Sequence, residues 1–244
     1  MRQVQQIMGM PIGIDIPDYD GAQAFDWAFA RLRQIDKKFS TYKHDSEVSR
    51  YIKGEVSEAE LSPELKNIIR ACRAAEKKTD GYFSAWAAGA FDPSGYVKGW
   101  AIAEAGKIIE NAGHKTYCIG AGGDILARSD SDKVWNIGIQ DPTDKKYLTS
   151  QVFLKNDTIA TSGGYERGSH ITNPKTKRPA DELLSVSVIG PEIIWADILA
   201  TAIFAAGSAE LIKGHPSYEV FTINKAGLAY TSSGWVTYNQ GSSR

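Results

Sequence analysis

Residues 194–207, IWADILATAIFAAG, are the stretch that most constrains how this chain can fold. Their nearly unbroken apolar pattern predicts a helix in the protein core. The helix carries one carboxylate, Asp197, and one hydroxyl, Thr201, and the spacing of four residues places both on one face. A buried, unpaired carboxylate is costly, so Asp197 requires a partner. A hard cation such as Mg²⁺ would supply one, and backbone donors or a capping role would also satisfy the carboxylate.

The composition is that of an ordinary soluble globular protein, with 42% hydrophobic and 23% charged residues over 244 positions. A net charge of −1 gives no reason to expect nucleic acid or an anionic membrane as a partner. The two cysteines, Cys72 and Cys118, form no CxxC pair and are expected to be small core residues. No apolar run reaches the roughly 18–20 residues needed to span a bilayer. The N-terminus lacks the features of a signal peptide, so a cytoplasmic location is predicted.

The order of elements predicts an α+β fold, with mixed, largely antiparallel sheets and packed helices in a single domain over residues 1–244. Residues 3–16 alternate like one strand, and residues 22–38 have helical spacing. A second helix is predicted to begin with Ser62 as N-cap and Pro63 at its first position. A third is predicted over residues 99–112, before Gly113.

Three further motifs have both a functional and a structural interpretation. FDPSGYVKGW, at residues 91–100, places backbone groups, Asp92 and Lys98 at the start of a helix, where they could face a ligand or simply cap the helix. GAGGDI, at residues 120–125, allows a ligand to approach the backbone closely or forms a tight hairpin turn. The third motif contains His170 among Ser and Gly residues; it is a candidate general base for a hydroxyl or a structural histidine.

Taken in order, these motifs resemble the FAD:protein FMN transferases, the ApbE family. The resemblance also covers MGMP near the N-terminus, FSTYKHDSEVSR, DGYF, TSGGYERGSHITNPKT and ADILATAIFAAG. It extends from about residue 7 to residue 207. It implies an ApbE-like, T-fold-like architecture in two intimately joined lobes.

The resemblance implies an enzyme that uses Mg²⁺ and takes FAD as its substrate. Such an enzyme transfers FMN to a Thr or Ser hydroxyl of an acceptor flavoprotein, forms a phosphoester and releases AMP. Asp197, Thr201 and the carbonyl of Gly95 match the metal ligands, and His170 matches the proposed base. The residues that fall where the family contacts FAD are Met8, Tyr42, Tyr82, Phe83, Ser84, Asp92, Lys98 and Ile171.

The chain departs from the family pattern at several positions. Asn173 replaces the usual Asp after the His-Ile pair, Lys177 replaces a common Gly, and Met10 stands at the third position of the Met-Gly-Thr block. Two other activities remain open at this point. A Mg²⁺-dependent FAD pyrophosphatase would use water as the nucleophile, and a non-catalytic protein would only bind FAD.

Overall fold

A computed structural model describes residues 1–164 and 171–239. The strands are β1 (Arg2–Ile7), β2 (Met10–Asp15), β3 (Tyr117–Ala121), β4 (Asp124–Arg128), β5 (Trp135–Gln140), β6 (Leu148–Leu154), β7 (Thr158–Gly163), β8 (Leu183–Gly190), β9 (Glu219–Asn224) and β10 (Ala229–Thr231). The α-helices are α1 (Gln23–Phe39), α2 (Glu47–Ile52), α3 (Pro63–Lys78), α4 (Ser94–Asn111), α5 (Ile193–Ala206) and α6 (Val236–Asn239).

The described strands form one large sheet and one separate hairpin. The large sheet has eight strands in the order β1-β2-β3-β4-β7-β8-β9-β10, and every neighbouring pair is antiparallel. Strands β5 and β6 pair with each other as a two-stranded sheet. This mixture of helices and antiparallel strands confirms the predicted α+β class.

One face of the large sheet is covered by helices. Alternate residues of β2 and β3, including Ile12, Ile14 and Ile119, point into a core shared with α1, α4 and α5. Helix α5 is apolar nearly all round and lies in the middle of this core, as its sequence predicts. Helix α3 begins as predicted, because the Ser62 side chain accepts a hydrogen bond from the Leu65 amide and Pro63 occupies the first turn.

The opposite face is only partly covered. The hairpin of β5 and β6 packs over β4, β7, β8 and β9, together with Trp235. Over β2 and β3 the same face carries Gly13, Cys118 and Gly120, which alternate with the helix-facing residues. Cys118 is therefore half-buried on this face, whereas Cys72 is fully buried among the helices.

Two predicted elements have different bounds in the structure. The strand predicted over residues 3–16 is the hairpin β1–β2, because Met8 and Gly9 turn with φ of 57° and 74°. The helix predicted from residue 99 begins five residues earlier, at Ser94, with Pro93 as its N-cap. Within its first turn the sequence Ser-Gly-Tyr has weak helix propensity, so its helical conformation depends on packing.

Over residues 1–164 and 171–239, no helix combines the length and apolarity needed to cross a membrane. The cytoplasmic location stays a prediction.

Candidate active site

The site is built where α4 crosses α5. A Cβ on Gly99 would lie 3.0 Å from the Cα of Ile194 and 3.1 Å from the carbonyl oxygen of Ile193. Because glycine has no side chain, the two helix backbones contact each other here. The amide of Gly99 donates a hydrogen bond to Oδ2 of Asp197 over 3.1 Å. The close packing of the two helices thus provides one of the hydrogen bonds that the buried Asp197 carboxylate requires.

Lys98 joins two buried carboxylates. Its Nζ lies 2.9 Å from Oδ2 of Asp124 and 3.4 Å from Oδ1 of Asp197. Asp124 has no exposed surface, and Asp197 is 2% exposed. On its other oxygen, Oδ1, Asp124 accepts the amide of Thr161 over 3.2 Å. The sheet and both helices therefore contribute to one charged cluster inside the apolar core.

The charges of this cluster do not balance when both carboxylates are ionised. Burial raises the pKa of the Asp124 carboxyl well above its usual range, the Asp197 carboxylate raises it further, and Lys98 opposes both effects. Oδ2 of Asp124 is paired with the Lys98 ammonium and has no further hydrogen-bond partner in the described residues. The two carboxylates and Lys98 together carry one excess negative charge while Asp124 is ionised, and the raised pKa of Asp124 favours its neutral, protonated form.

Neutral oxygen atoms lie beside the carboxylates. The Thr201 hydroxyl, one turn after Asp197 on α5, is 3.3 Å from the Ser162 hydroxyl at the end of β7. A Cβ on Gly95 would be 4.0 Å from Oγ1 of Thr201. In a regular helix the Gly99 amide would bond to the Gly95 carbonyl, but it is also engaged by Asp197. A carbonyl oxygen has two lone pairs, so the Gly95 carbonyl could accept a further partner, and its role as a metal ligand stays an expectation from the family resemblance.

Some of the residues predicted to contact FAD lie near this cluster, and others lie elsewhere. Phe83 is buried, and its Cε2 lies 3.3 Å from the Cβ position on Gly95. Tyr82 is half-buried beneath Lys175, whose Nζ lies 3.9 Å from the ring centroid and forms an ion pair with Asp80 at 2.7 Å. Lys98, Gly95, Asp197 and Thr201 lie close together where α4 crosses α5, and their roles stay predictions.

The other residues predicted to contact FAD make separate local interactions among the described residues. Met8 occupies the β1–β2 turn, and Asp92 is exposed and accepts the Ser94 amide over 2.9 Å. Ser84 accepts the Trp86 amide over 3.2 Å, and Ile171 is half-buried against the helical core. Tyr42 is 88% exposed. Their contact with FAD stays a prediction, and His170 lies outside the described residues.

Sequence reasoning did not assign a role to Asp124 or Ser162. Both belong to motifs that were recognised, since Asp124 follows the glycines of GAGGDI and Ser162 is in TSGG. The available signal for Asp124 was a carboxylate at the start of an apolar strand, the same kind of signal that identified Asp197. Lys177, where the resemblance leads us to expect Gly, has φ of 58°, a conformation that glycine adopts without steric cost.

The sequence matches a known family along most of its length. The sequence profile of the ApbE family matches residues 8–91 and 87–221, and the chain therefore belongs to the ApbE family.

Curated relatives include two proteins named FAD:protein FMN transferase. One, from Klebsiella pneumoniae (strain 342), is 29% identical over 153 residues, which are 57% of this chain and 44% of the relative. The other, from Rhodobacter capsulatus, is 30% identical over 128 residues, 49% of this chain and 24% of the relative. The matched part of this chain thus spans less than half the length of these relatives.

Solved structures share the fold along nearly the whole chain. The ApbE protein of Thermotoga maritima superposes with a TM-score of 0.86 and 21% identity, covering 98% of this chain and 99% of that one. The flavin transferase ApbE of Vibrio cholerae gives a TM-score of 0.83 and 20% identity, covering 98% of both chains. At these identities the comparison establishes an ApbE-like fold.

Proposed function

We propose that this protein is a Mg²⁺-dependent FAD:protein FMN transferase. It would transfer FMN from FAD to a Thr or Ser hydroxyl of an acceptor flavoprotein, with formation of a phosphoester and release of AMP. The observation that carries the proposal is the buried cluster of Asp197, Asp124 and Lys98 beside the Thr201 hydroxyl. The names of the curated relatives support the same activity.

The donor set of this cluster fits Mg²⁺. Asp197, the Thr201 hydroxyl and the Gly95 carbonyl would hold the ion, and all three donors are oxygen atoms, which Mg²⁺ prefers. Over the described residues no three His, Cys, Asp or Glu side chains group as metal ligands. A site with one direct carboxylate suits Mg²⁺, which is commonly bound by one or two carboxylates together with substrate phosphates and water. When bound, the ion would supply Lewis acidity and neutralise charge on the FAD diphosphate.

The protein's own residues would orient the substrate and balance charge. Lys98, fixed by the two carboxylates, would keep the cluster from repelling the diphosphate and would contact FAD from that position. The Ser162 hydroxyl would orient Thr201. Phe83 and Tyr82 would pack against the flavin beside the first turn of α4, and Met8, Tyr42, Ser84, Asp92 and Ile171 would complete the FAD contacts.

His170 would remove the proton from the acceptor hydroxyl. The acceptor oxygen then forms a bond to the phosphorus on the FMN side, and the bond from that phosphorus to the bridging oxygen breaks, so that AMP leaves. A general base contributes about 10²–10⁴-fold to such a step. His170→Ala should therefore lower flavin transfer by about that factor while FAD binding, measured by quenching of flavin fluorescence, is retained. Unchanged transfer would exclude His170 as the base.

The activity itself is tested by incubating the protein with FAD, Mg²⁺ and flavin-dependent proteins from the same cell. The expected result is a fluorescent flavin band that survives denaturing electrophoresis, with one AMP formed for each flavin attached. Free FMN and AMP without such a band would instead indicate a pyrophosphatase. FAD that stays intact with Mg²⁺ present would indicate a protein that only binds it.

A further inference from the structure

Asp124 is the member of the buried cluster that has no direct part in the proposed reaction. It is the first residue of β4, directly after the turn at Gly122 and Gly123, and its side chain has no exposed surface. Its Oδ1 accepts the amide of Thr161 on the neighbouring strand β7 over 3.2 Å. Because burial and a backbone hydrogen bond both restrain this side chain, the Asp124 carboxylate has a fixed position in the cluster.

The Lys98 ammonium is shared unequally between the two carboxylates of the cluster. Its Nζ lies 2.9 Å from Oδ2 of Asp124, which is the length of a charge-assisted hydrogen bond. It lies 3.4 Å from Oδ1 of Asp197, which is longer than such a bond. Because the lysine side chain is long and flexible, the ammonium could approach Asp197 more closely. The attraction of Asp124 opposes that approach.

The two oxygens of the Asp197 carboxylate have different neighbours. Oδ2 accepts the Gly99 amide over 3.1 Å, and Oδ1 is the atom nearer to the Lys98 ammonium. An ammonium in direct contact with Oδ1 would compete with a divalent cation for this carboxylate, since two cations beside one carboxylate repel each other. The distance between Lys98 and Asp197 is therefore expected to affect how tightly Asp197 binds a metal ion.

We propose that Asp124 is a positioning residue for the metal site of the transferase. Its carboxylate holds the Lys98 ammonium away from Oδ1 of Asp197, so that Mg²⁺ can bind Asp197 beside the Thr201 hydroxyl. Replacement of residues that surround the direct ligands of a metal commonly weakens metal binding by about 10–100-fold. The proposal rests on the proposed transferase function, because it names a residue that supports the Mg²⁺ site of that reaction.

Asp124→Asn is the variant that tests this role. It removes the negative charge and keeps an oxygen that can accept the Thr161 amide, and the remaining pair of Lys98 and Asp197 is balanced in charge, so folding is expected. Isothermal titration calorimetry measures Mg²⁺ binding with and without FAD, in the absence of an acceptor. Mildly alkaline pH favours ionised Asp124, because burial raises its pKa. The dissociation constant of Mg²⁺ should rise about 10–100-fold.

Asp157→Asn is the matched control. It removes a half-buried carboxylate whose charged neighbour is Arg128 rather than Lys98, and it should leave the dissociation constant of Mg²⁺ unchanged. In the transferase assay, Asp124→Asn should raise the Mg²⁺ concentration needed for half-maximal transfer. The rate at saturating Mg²⁺ should stay close to that of the wild-type protein, whereas a general structural defect would lower it.

Two further measurements test whether Asp124 acts through Lys98. In a crystal structure of Asp124→Asn without Mg²⁺, Nζ of Lys98 should lie closer to Oδ1 of Asp197 than the present 3.4 Å. In a double-mutant cycle, Asp124→Asn should weaken Mg²⁺ binding less in a Lys98→Met background than in the wild-type protein, since the ammonium is then absent. The crystal structure does not depend on whether Lys98→Met folds.

Mg²⁺ binding by Asp124→Asn that equals that of the wild-type protein, or a Lys98 ammonium that keeps its position in this variant, would overturn the positioning role and leave the transferase function intact. Equal losses with and without Lys98 would show that Asp124 acts by its own charge and would also overturn the role. A wild-type protein that binds no Mg²⁺, with or without FAD, would instead contradict the Mg²⁺-dependent function itself and the role of Asp124 with it.

Discussion

Glycine has opposite consequences on the two faces of the large sheet. On the helical face there is no space for a side chain at Gly99 or Gly106. A Cβ on Gly99 would lie 3.0 Å from Ile194, and a Cβ on Gly106 would lie 2.8 Å from Leu126. On the other face, Gly120 borders open volume, and the nearest atom to its Cβ position is 4.0 Å away. Gly99 brings two helix backbones together beside the charged cluster, Gly106 makes room for the side chains of Leu126 and Tyr117, and Gly120 leaves space at the surface.

This difference shows that the role of each glycine depends on which atoms lie next to its Cβ position. On the helical face the approaching group belongs to the protein itself, and the site is rigid because its backbones touch. On the open face the described residues leave space beside Gly120. Substitutions of glycine on the two faces should therefore differ in their effect on stability, with overpacking on the helical face and little steric cost at Gly120.

Asp197→Asn should have the largest effect, on the helical face. The amide oxygen can still accept the Gly99 N–H, so folding is retained, but the charge that would hold Mg²⁺ is lost. Flavin transfer should fall by about 10²–10³-fold, the scale for loss of one preorganised electrostatic contact. In-gel flavin fluorescence measures it, with Asp26→Asn in the exposed first turn of α1 as the control. A rate of flavin transfer within a few-fold of the wild-type rate would show that Asp197 is not a metal ligand.

Lys98→Met should strongly lower the free energy of unfolding. Removal of the ammonium leaves Asp124 and Asp197 buried next to each other, and breaking a buried pair in this way costs about 3–5 kcal/mol. The folded-state pKa of Asp124 is already raised and would rise further, so the penalty should shrink at low pH and grow as pH rises.

Denaturant unfolding at several pH values measures this effect. Lys107→Met removes an exposed ion pair to Glu104 on the same helix and should change the free energy of unfolding by less than about 1 kcal/mol. A Lys98→Met penalty that is independent of pH would show that Lys98 does not influence the folded-state pKa of Asp124.

Gly99→Ala tests the contact between α4 and α5. The added methyl group meets backbone atoms of Ile193 and Ile194, which cannot rotate away, so the helices must separate. Overpacking of this kind costs about 1–3 kcal/mol. Differential scanning calorimetry should show a lower Tm, and a Tm equal to that of the wild-type protein would mean that the crossing is looser than described.

Gly120→Ala is the counterpart on the open face, and it should have the smallest effect. Its methyl group enters free space, and the unfolded chain loses conformational freedom, so stability should rise by about 0.4–1 kcal/mol. The same calorimetric measurement applies. A decrease in Tm as large as that of Gly99→Ala would show that the two faces do not differ in this way.

The separate elements could be predicted from the sequence where local rules suffice. Ser62 and Pro63 begin α3 as expected, and Gly113, with φ of 93°, ends α4. The β1–β2 hairpin was missed because both sides of the turn continue the same alternation, and Met8 at positive φ is not a usual turn residue. The start of α4 was missed because packing overrides weak propensity there.

The sequence by itself determined that Asp197 and Thr201 share one face of a buried helix, because periodicity along a single helix fixes that relation. It also contained the ordered motifs that indicate the ApbE family. Only the tertiary structure decided that Asp124 joins Lys98 and Asp197, and that the glycines of β2 and β3 border a groove. Such relations depend on which distant segments meet, and no local pattern specifies a contact between residues 98, 124 and 197.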